Sequence, residues 1–291
     1  MMHTAQYYET YKPLLFSIAY RMLGSVVDAE DIVQDAFLDL SDTDFRGMVH
    51  EKAYLCKVVS NKCMDRIRRS AKERQAYIGP WLPEPLVEWA DEPAGRYLHR
   101  ESLSTAYLLL LQQLSETERI VFLLREAFRF EYGEISVVVE KSEANCRQIF
   151  HRAKKAIQDR PESAVPQSEN VRPLVEQFVD ALQNGDIRRL MDVISEDVVL
   201  MADSGGKVAG SRVPIRTSER VVPFLSRTSV LLPDSFATFF VRVNGYPGLV
   251  LSREGKAIYT FSFQVQNDRI VSVFVVANPE KLAHLDGYSP S

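Results

Sequence analysis

Two charge clusters and one polar helix carry the side chains that could do chemistry in this sequence. Residues 26 to 44 hold seven acids (Asp28, Glu30, Asp31, Asp35, Asp39, Asp42, Asp44) and no base. Residues 57 to 74 invert the sign, with Lys57, Lys62, Arg66, Arg68, Arg69, Lys72 and Arg74 against Asp65 and Glu73. One acidic surface is therefore followed by one basic surface. Within the basic stretch, Asn61, Asp65, Arg66 and Arg69 place base-sized hydrogen-bonding groups beside phosphate-sized cations, a set suited to strand separation and the capture of splayed bases. Further on, Arg147, Gln148, Arg152 and Lys154 cluster on one short helix, the inventory that reads guanine, adenine and phosphate in a major groove. A basic amphipathic helix alone is equally a solvated face, and a helix-turn-helix alone is equally a bundle corner. Two such helices joined by a linker are more specific, because they could contact two separated DNA elements.

Groups for covalent or metal chemistry are scarce. Cys56, Cys63 and Cys146 lie far from any CxxC spacing and have no His at ligand distance, so they read as buried thiols and no metal or cofactor is expected. Beyond residue 160 the sole histidine is His284, and the plausible acids, Asp180 and Asp203, have no evident partner to tune them as a general base. Catalysis by this chain is not expected.

The elements that position these groups follow from periodicity. Apolar residues at helical spacing predict helices over Tyr7–Leu23, closed by Gly24, then Asp28–Leu40 and Glu51–Tyr77, the last with a core stripe of Leu55, Val59, Cys63 and Ile67. Residues 78 to 95 hold four prolines and both tryptophans. They read as a linker, yet one whose Trp81, Leu82, Leu86, Val87 and Trp89 would be costly to leave in water, so it should dock on something. Helical pattern resumes over Leu98–Leu114. Ser115 and Glu118 form a capping box opening the next helix, a short helix spans EYGEISVVV, and Ser142 caps a helix reaching Ile157. On that last helix Cys146, Ile149, Phe150, Ala153 and Ile157 face inward. After the Pro- and Ser-rich RPESAVPQSEN (160–170), helices at 171–184 and 187–194 and a strand DVVLMAD lead through a helix near 213–227 into a meander of four strands, an α+β pattern with a curved antiparallel sheet wrapped on helices.

Composition bounds the reading. The chain has 291 residues, 46% of them hydrophobic and 25% charged, which excludes disordered, collagen-like and disulfide-scaffold classes and favours two or three compact units. The net charge of -4 argues against a general polyanion binder. No apolar run approaches bilayer length and the N-terminus lacks a secretory pattern, so a cytoplasmic protein is expected.

Three segments carry a resemblance: YKPLLFSIAYRMLGSVVDAEDIVQDAFLDL (11–40), AYLCKVVSNKCMDRIRRSAKER (53–74) and LSETERIVFLLREAFRFEYGEISVVVEKSEANCRQIFHRAKKAI (114–157) resemble an extracytoplasmic-function RNA polymerase sigma factor. WLPEP (81–85), DSGGK (203–207) and NPEKL (278–282) further resemble the subgroup with a fused C-terminal SnoaL-like domain. The resemblance implies an all-α region 2 at 1–77, a Pro/Trp-rich linker at 78–97, a region 4 helix-turn-helix at 98–160 and an α+β SnoaL-like conical domain at 161–291. It implies that Asp28, Asp31, Gln34 and Asp35 bind core RNA polymerase through its largest subunits. Asn61, Asp65, Arg66 and Arg69, with the loop from Phe45 to Lys52, would take the promoter -10 element. Ser142, Asn145, Arg147, Gln148, Arg152 and Lys154 would read the -35 element. Trp81, Leu82 and Pro83, with Asp203, Gly205, Gly206 and Lys207 and with Asn278, Pro279, Lys281 and Leu282, would form regulatory contacts, and the C-terminal pocket could take an unidentified small-molecule ligand.

Two positions depart from the family pattern. Glu140 stands at or next to the helix-turn-helix turn, where members usually place Gly for positive φ, at a cost of about 1 kcal/mol. Ser204 replaces a more usual Gly in DSGGK. Two other readings compete: a one-component helix-turn-helix regulator sensing a small molecule, which would have no use for the acidic cluster, and a cyclase-like enzyme with helical decoration.

Overall fold

The computed structural model describes residues 2–41, 50–88, 104–158, 171–229 and 236–287. They form two compact units: the described residues of Met1–Gln75 and Pro93–Ser163 make the first, and those of Ala76–Glu92 and Ala164–Ser291 the second.

The first unit is all helical. Helix α1 (Met2–Leu23), α2 (Val26–Asp39) and α3 (Glu51–Gln75) bury one another, with Leu15, Ile18, Ala19 and Met22 of α1 against Ile32, Val33 and Phe37 of α2 and Leu55, Val59 and Cys63 of α3. Gly24 takes φ +69 after α1, the left-handed stop its lack of Cβ permits. Ile67, expected in the α3 core stripe, is only half-buried, and the last turns of the helix around it are polar.

Helices α4 (Thr105–Leu111), α5 (Glu116–Phe122), α6 (Tyr132–Val139) and α7 (Glu143–Gln158) complete this unit. The Ser115/Glu118 capping box forms in full, but the helix it opens changes character: Leu123–Ala127 is a π-helical turn rather than a continuous α-helix to Phe128. Cys146, Ile149, Phe150, Ala153 and Ile157 are buried as their spacing requires. The 98–103 part of the expected fourth helix, the 45–49 part of the expected promoter loop and the 160–170 boundary lie outside the described residues.

Helices α4, α5 and α6 pack on α1 or α3 within the same unit, and α7 packs on α5 and α6. Buried Arg119 of α5 donates to the carbonyl of Met22 at the end of α1 and to that of Leu114 at 3.3 Å, while Arg74 of α3 donates to Leu23 at 2.8 Å. Two cations thus satisfy carbonyls left open at the negative end of a helix dipole. Burial lowers the Arg119 guanidinium to about 10.

The second unit is α+β, with the SnoaL-like arrangement expected. Helices α8 (Val171–Gln183), α9 (Ile187–Val193), α10 (Ser218–Ser229) and the short α11 (Pro279–Leu282) accompany strands β1 (Val87–Glu88), β2 (Ile194–Asp203), β3 (Ile215–Arg216), β4 (Ala237–Val243), β5 (Tyr246–Arg253), β6 (Lys256–Gln266) and β7 (Arg269–Val276). They form one seven-stranded sheet in the order β1-β4-β5-β6-β7-β2-β3. The meander is antiparallel as expected, while β2 pairs β7 in parallel, with β3, helix α10 and strands β4 to β6 intervening in the chain. Val175 and Phe178 of α8 and Val221 and Leu225 of α10 close the core over Phe261, Phe263 and Val273.

Candidate polymerase and promoter surfaces and the buried linker joint

Helix α2 is started by Ser25, whose hydroxyl accepts from the Asp28 backbone N–H at 3.1 Å. With Val26, Ala29, Ile32, Val33, Ala36 and Phe37 buried, the 3.6-residue period turns Asp31, Gln34 and Asp35 fully outward. Exposed Val27 and Leu38 bracket this acidic face. Asp28 is half-buried and pairs with Arg66 of α3 at 3.0 Å, so two residues expected to serve different partners are brought together. That bond to Asp28 raises the Arg66 pKa.

Along α3, Asn61, Asp65, Arg66 and Arg69 are all exposed; Asn61, Asp65 and Arg69 share the side opposite buried Val59 and Cys63, whereas Arg66, seven residues beyond Val59, lies toward α2. Asp65 also pairs with Arg68 at 3.4 Å, and Arg68 reaches Glu116 of α5 at 3.0 Å.

In the helix-turn-helix, Glu140 sits at φ 52, ψ 46, the left-handed conformation a glycine would adopt more cheaply. Its carboxylate meets Lys57 of α3 at 2.6 Å, which lowers the pKa of Glu140. Ser142 caps the second helix of this motif, α7, accepting from Asn145 N–H at 3.3 Å. Asn145, Arg147, Gln148 and Arg152 are exposed and Lys154 is half-buried. Several of these cations are held within the unit: Arg147 by Glu143 at 2.8 Å and over the Tyr132 ring, Arg152 by Glu118 at 3.9 Å, and Lys154 by Glu126 at 3.6 Å.

In the second unit, the three short motifs converge on one carboxylate. Asp203, wholly buried, ends β2. Its Oδ1 accepts from the Tyr77 hydroxyl at 2.5 Å and from Gly205 N–H at 3.2 Å; its Oδ2 accepts from Leu82 N–H at 2.7 Å and from Lys281 Nζ at 2.7 Å. Every lone pair direction of a buried anion is thereby used, the condition for burying it at all. Lys281 also donates to the Leu82 carbonyl and lies 3.8 Å over the Trp81 ring and 5.0 Å over that of Tyr77. Asn278 caps α11 through Glu280 N–H at 3.1 Å and donates to the Tyr77 hydroxyl at 2.8 Å; Pro279 opens that helix and Leu282 is buried beneath it.

Gly205 (φ +57) and Gly206 (φ +71) are required where they stand: a Cβ on Gly205 would lie 2.5 Å from Asn278 Nδ2, and one on Gly206 would meet Ile78 at 3.0 Å. Lys207 pairs with Glu280. Pro83 is buried, Pro85 O contacts His284 Nε2 at 2.9 Å, and Leu86 exchanges hydrogen bonds with Asn244 at 3.0 and 2.8 Å before β1 joins the sheet edge. The described part of the apolar linker, residues 78–88, docks on its own C-terminal unit, while Trp89 and the rest of the linker lie outside the described residues.

Sequence reasoning missed Tyr77, His284 and Asn244 in this joint, and Arg119 and Arg74 in the helical unit. Tyr77 carried one signal: an amphipathic ring at the point where a helix gives way to a Pro-rich linker. Burial, and then the bond to Asp203, raise its phenol pKa. Both candidate catalytic acids have structural employment, Asp203 here and Asp180 in a pair with Arg189 at 2.5 Å and a bond from Asn184 at 2.9 Å. Among the described residues no cluster of three or more His, Cys, Asp or Glu could hold a metal ion.

Comparison with known proteins defines the class first. Residues 7–73 match the model for Sigma-70 region 2 and residues 104–157 that for Sigma-70, region 4. Over 94% of its length the chain is 31% identical to the ECF RNA polymerase sigma factor SigJ of Mycobacterium tuberculosis, covering 91% of that protein, and 25% identical to the probable ECF RNA polymerase sigma factor SigI of the same organism, covering 93%. The crystal structure of the M. tuberculosis extracytoplasmic function sigma factor SigJ is similar over 96% of this chain and 98% of that one, with TM-score 0.76 and 27% identity. The chain belongs to the extracytoplasmic-function RNA polymerase sigma factors, a family acting in transcription initiation.

Proposed function

We propose that this sigma factor engages core RNA polymerase, through its largest subunits, with the exposed face Asp31, Gln34 and Asp35 of α2 together with Asp28. Asn61, Asp65, Arg66 and Arg69 of α3 then take the -10 element, and Ser142, Asn145, Arg147, Gln148, Arg152 and Lys154 of α7 read the -35 element. The division into region 2 (1–77), linker (78–97), region 4 (98–160) and C-terminal domain (161–291) is functional in this reading. RNA synthesis belongs to the polymerase, no catalysis is assigned to this chain, and it works in the cytoplasm; among the described residues no helix is long and apolar enough to cross a membrane.

The single observation that carries the reading is the pair of solvent-facing surfaces on one helical unit, an acidic one on α2 and a polar, Arg-rich one on α7. Their ion pairs are exposed and worth about 0–1 kcal/mol each, so phosphates or a basic polymerase surface can replace them at little cost. The C-terminal domain regulates by holding the linker: with Trp81, Leu82 and Pro83 bound to Asp203, Gly205–Lys207 and Asn278–Leu282, the length of chain available to place region 4 relative to region 2 is set by the joint. Tethering gives such contacts a high effective concentration, so modest affinities suffice.

The test is run-off transcription with core polymerase and fragmented genomic DNA, comparing the full chain with Asp31→Lys, Asp35→Lys. Defined transcripts that disappear in the charge-reversed protein are expected; transcripts that persist undiminished would overturn the polymerase assignment.

A further inference from the structure

The second unit carries a strongly charged surface that the linker joint does not use. Between Ser204 and Ser229 stand Lys207, Arg212, Arg216, Arg220 and Arg227 against the single acid Glu219. The rest of residues 161–291 hold 8 basic and 14 acidic residues, so a segment of net charge +4 lies in a domain that is otherwise -6. The arginines are also set apart by what they lack. Arg172, Arg189, Arg242 and Arg253 of the same unit each pair with an acid, at 2.9, 2.5, 3.7 and 3.7 Å, and Lys207 pairs with Glu280. Arg212, Arg216, Arg220 and Arg227 are exposed, and none of their guanidinium groups has an ion pair or hydrogen bond among the described residues.

Local structure presents these side chains on an ordered backbone. Helix α10 buries Val221, Val222 and Leu225 and turns Arg220, Pro223 and Arg227 outward. Arg216 ends β3. Thr217, at φ 72, then turns the chain into α10, and its carbonyl accepts from the Arg220 and Val221 N–H groups at 3.1 and 3.0 Å. Arg216 and Arg220 thus leave a hydrogen-bonded backbone, with little main chain left to order when a partner binds. Arg220 and Arg227, seven residues apart, are separated by about 10 Å along the helix axis, a length over which one strand of duplex DNA presents about three phosphates.

Chemistry selects the partner. The planar fork of each guanidinium matches two phosphate oxygens at once. The one aromatic residue of the stretch, Phe224, is half-buried against the core, so unpaired bases find no stacking platform here. A phosphate backbone is what remains, and a duplex supplies it without needing its bases read. A sigma factor brings promoter DNA to its own chain, so this surface meets that polyanion at high effective concentration and modest contacts suffice.

We propose that Arg212, Arg216, Arg220 and Arg227 contact the sugar-phosphate backbone of duplex promoter DNA, giving the C-terminal domain a sequence-independent DNA contact of its own. This rests on the family's action at promoters and not on which side chains read the -10 and -35 elements.

The experiment assembles the full chain with core polymerase and follows binding to two labelled duplexes by fluorescence anisotropy over a KCl series. One duplex carries a promoter found by run-off transcription, and the other has the same composition in scrambled order. In the variant Arg212→Gln, Arg216→Gln, Arg220→Gln, Arg227→Gln, affinity should fall about tenfold or more at low salt. The plot of log affinity against log salt should become shallower by about 1 for each arginine that meets a phosphate. Both changes should be equal on the two duplexes, whereas loss of a base reader would fall on the promoter alone. The control Arg172→Gln, Arg189→Gln, Arg242→Gln, Arg253→Gln removes the same charge from paired sites and should leave the slope as it is. An unchanged slope in the first variant overturns the proposal, and so does an equal change in the control, which would trace the effect to net charge. Weaker assembly with core polymerase at an unchanged DNA slope also overturns it, in favour of an acidic protein surface. Should the fourfold variant fail to fold, Arg220→Gln, Arg227→Gln carries the same test at about half the effect.

Discussion

Arg66 and Asp28 on the helical unit, and Lys281 and Asp203 in the second unit, are both oppositely charged pairs near 3 Å, yet they sit at opposite ends of what an ion pair can do. Arg66 keeps close to half of its side-chain surface in water and Asp28 more than a quarter, at 44% and 29%. Lys281 and Asp203 keep 8% and 0%. Water screens the first pair, so its net worth is small and either partner can leave for another charge at little cost. The second pair has no solvent to fall back on; its value lies in the penalty for removing one member, because the other would remain buried and uncompensated. Exchangeable charge belongs where the protein meets partners, and locked charge where it holds its own chain.

The comparison breaks most visibly at Asp203. Asp203→Ala strands Lys281 beneath Trp81 and should cost about 3–5 kcal/mol of stability in the second unit, read by urea denaturation together with a red shift of Trp81 emission. Arg66→Ala, its counterpart on the exposed pair, should cost under about 1 kcal/mol; comparable losses from both would remove the distinction drawn here. Next in size is Gly205→Ala, where a Cβ at positive φ must push against the Asn278 amide; a loss of about 1–3 kcal/mol is expected, with Ala substituted at Gly255, φ +76 with open space around it, losing less.

Glu140→Gly sharpens the exposed side of the comparison. It relieves a left-handed non-glycine residue worth about 1 kcal/mol and gives up a contact between exposed Glu140 and half-buried Lys57, so thermal stability should hold or rise slightly. A clear fall in melting temperature would mean that the Lys57 contact is not exchangeable. The smallest effect is one of pH. The Tyr77 phenol titrates above its ordinary 10.0 in the fold, so the stability it contributes is complete below about pH 10 and lost as pH rises toward and through the folded value. Alkaline unfolding of the full chain should therefore flatten in Tyr77→Phe, and an unchanged profile would refute the role of that hydroxyl.

Much of the architecture was legible because it is local. Ser115 and Glu118 cap a helix three residues apart, Gly24 ends one, and the inward stripe Cys146, Ile149, Phe150, Ala153, Ile157 needs only the helical period. The left-handed Glu140 was visible as a glycine position occupied by something else. Less visible was the π-turn at Leu123–Ala127, since its extra residue per turn leaves the apolar pattern nearly intact. Helices α4 to α6 pack on α1 and α3 instead of standing apart, through Arg119 on the Met22 carbonyl and Lys57 on Glu140, contacts between residues far apart in the chain.

Asp203 shows where the boundary lies. Residue type and composition alone establish that an acid stands there in DSGGK, that a Pro/Trp-rich linker needs an apolar dock, and that helices α2, α3 and α7 present acidic, mixed and polar basic faces. They left Asp203 open as a catalytic acid or a contact residue. Tertiary structure decides between them, because the four donors to its carboxylate come from positions 77, 82, 205 and 281, and the chemistry of a carboxylate is set by burial and by the groups that saturate it, neither of which is encoded by its neighbours in sequence.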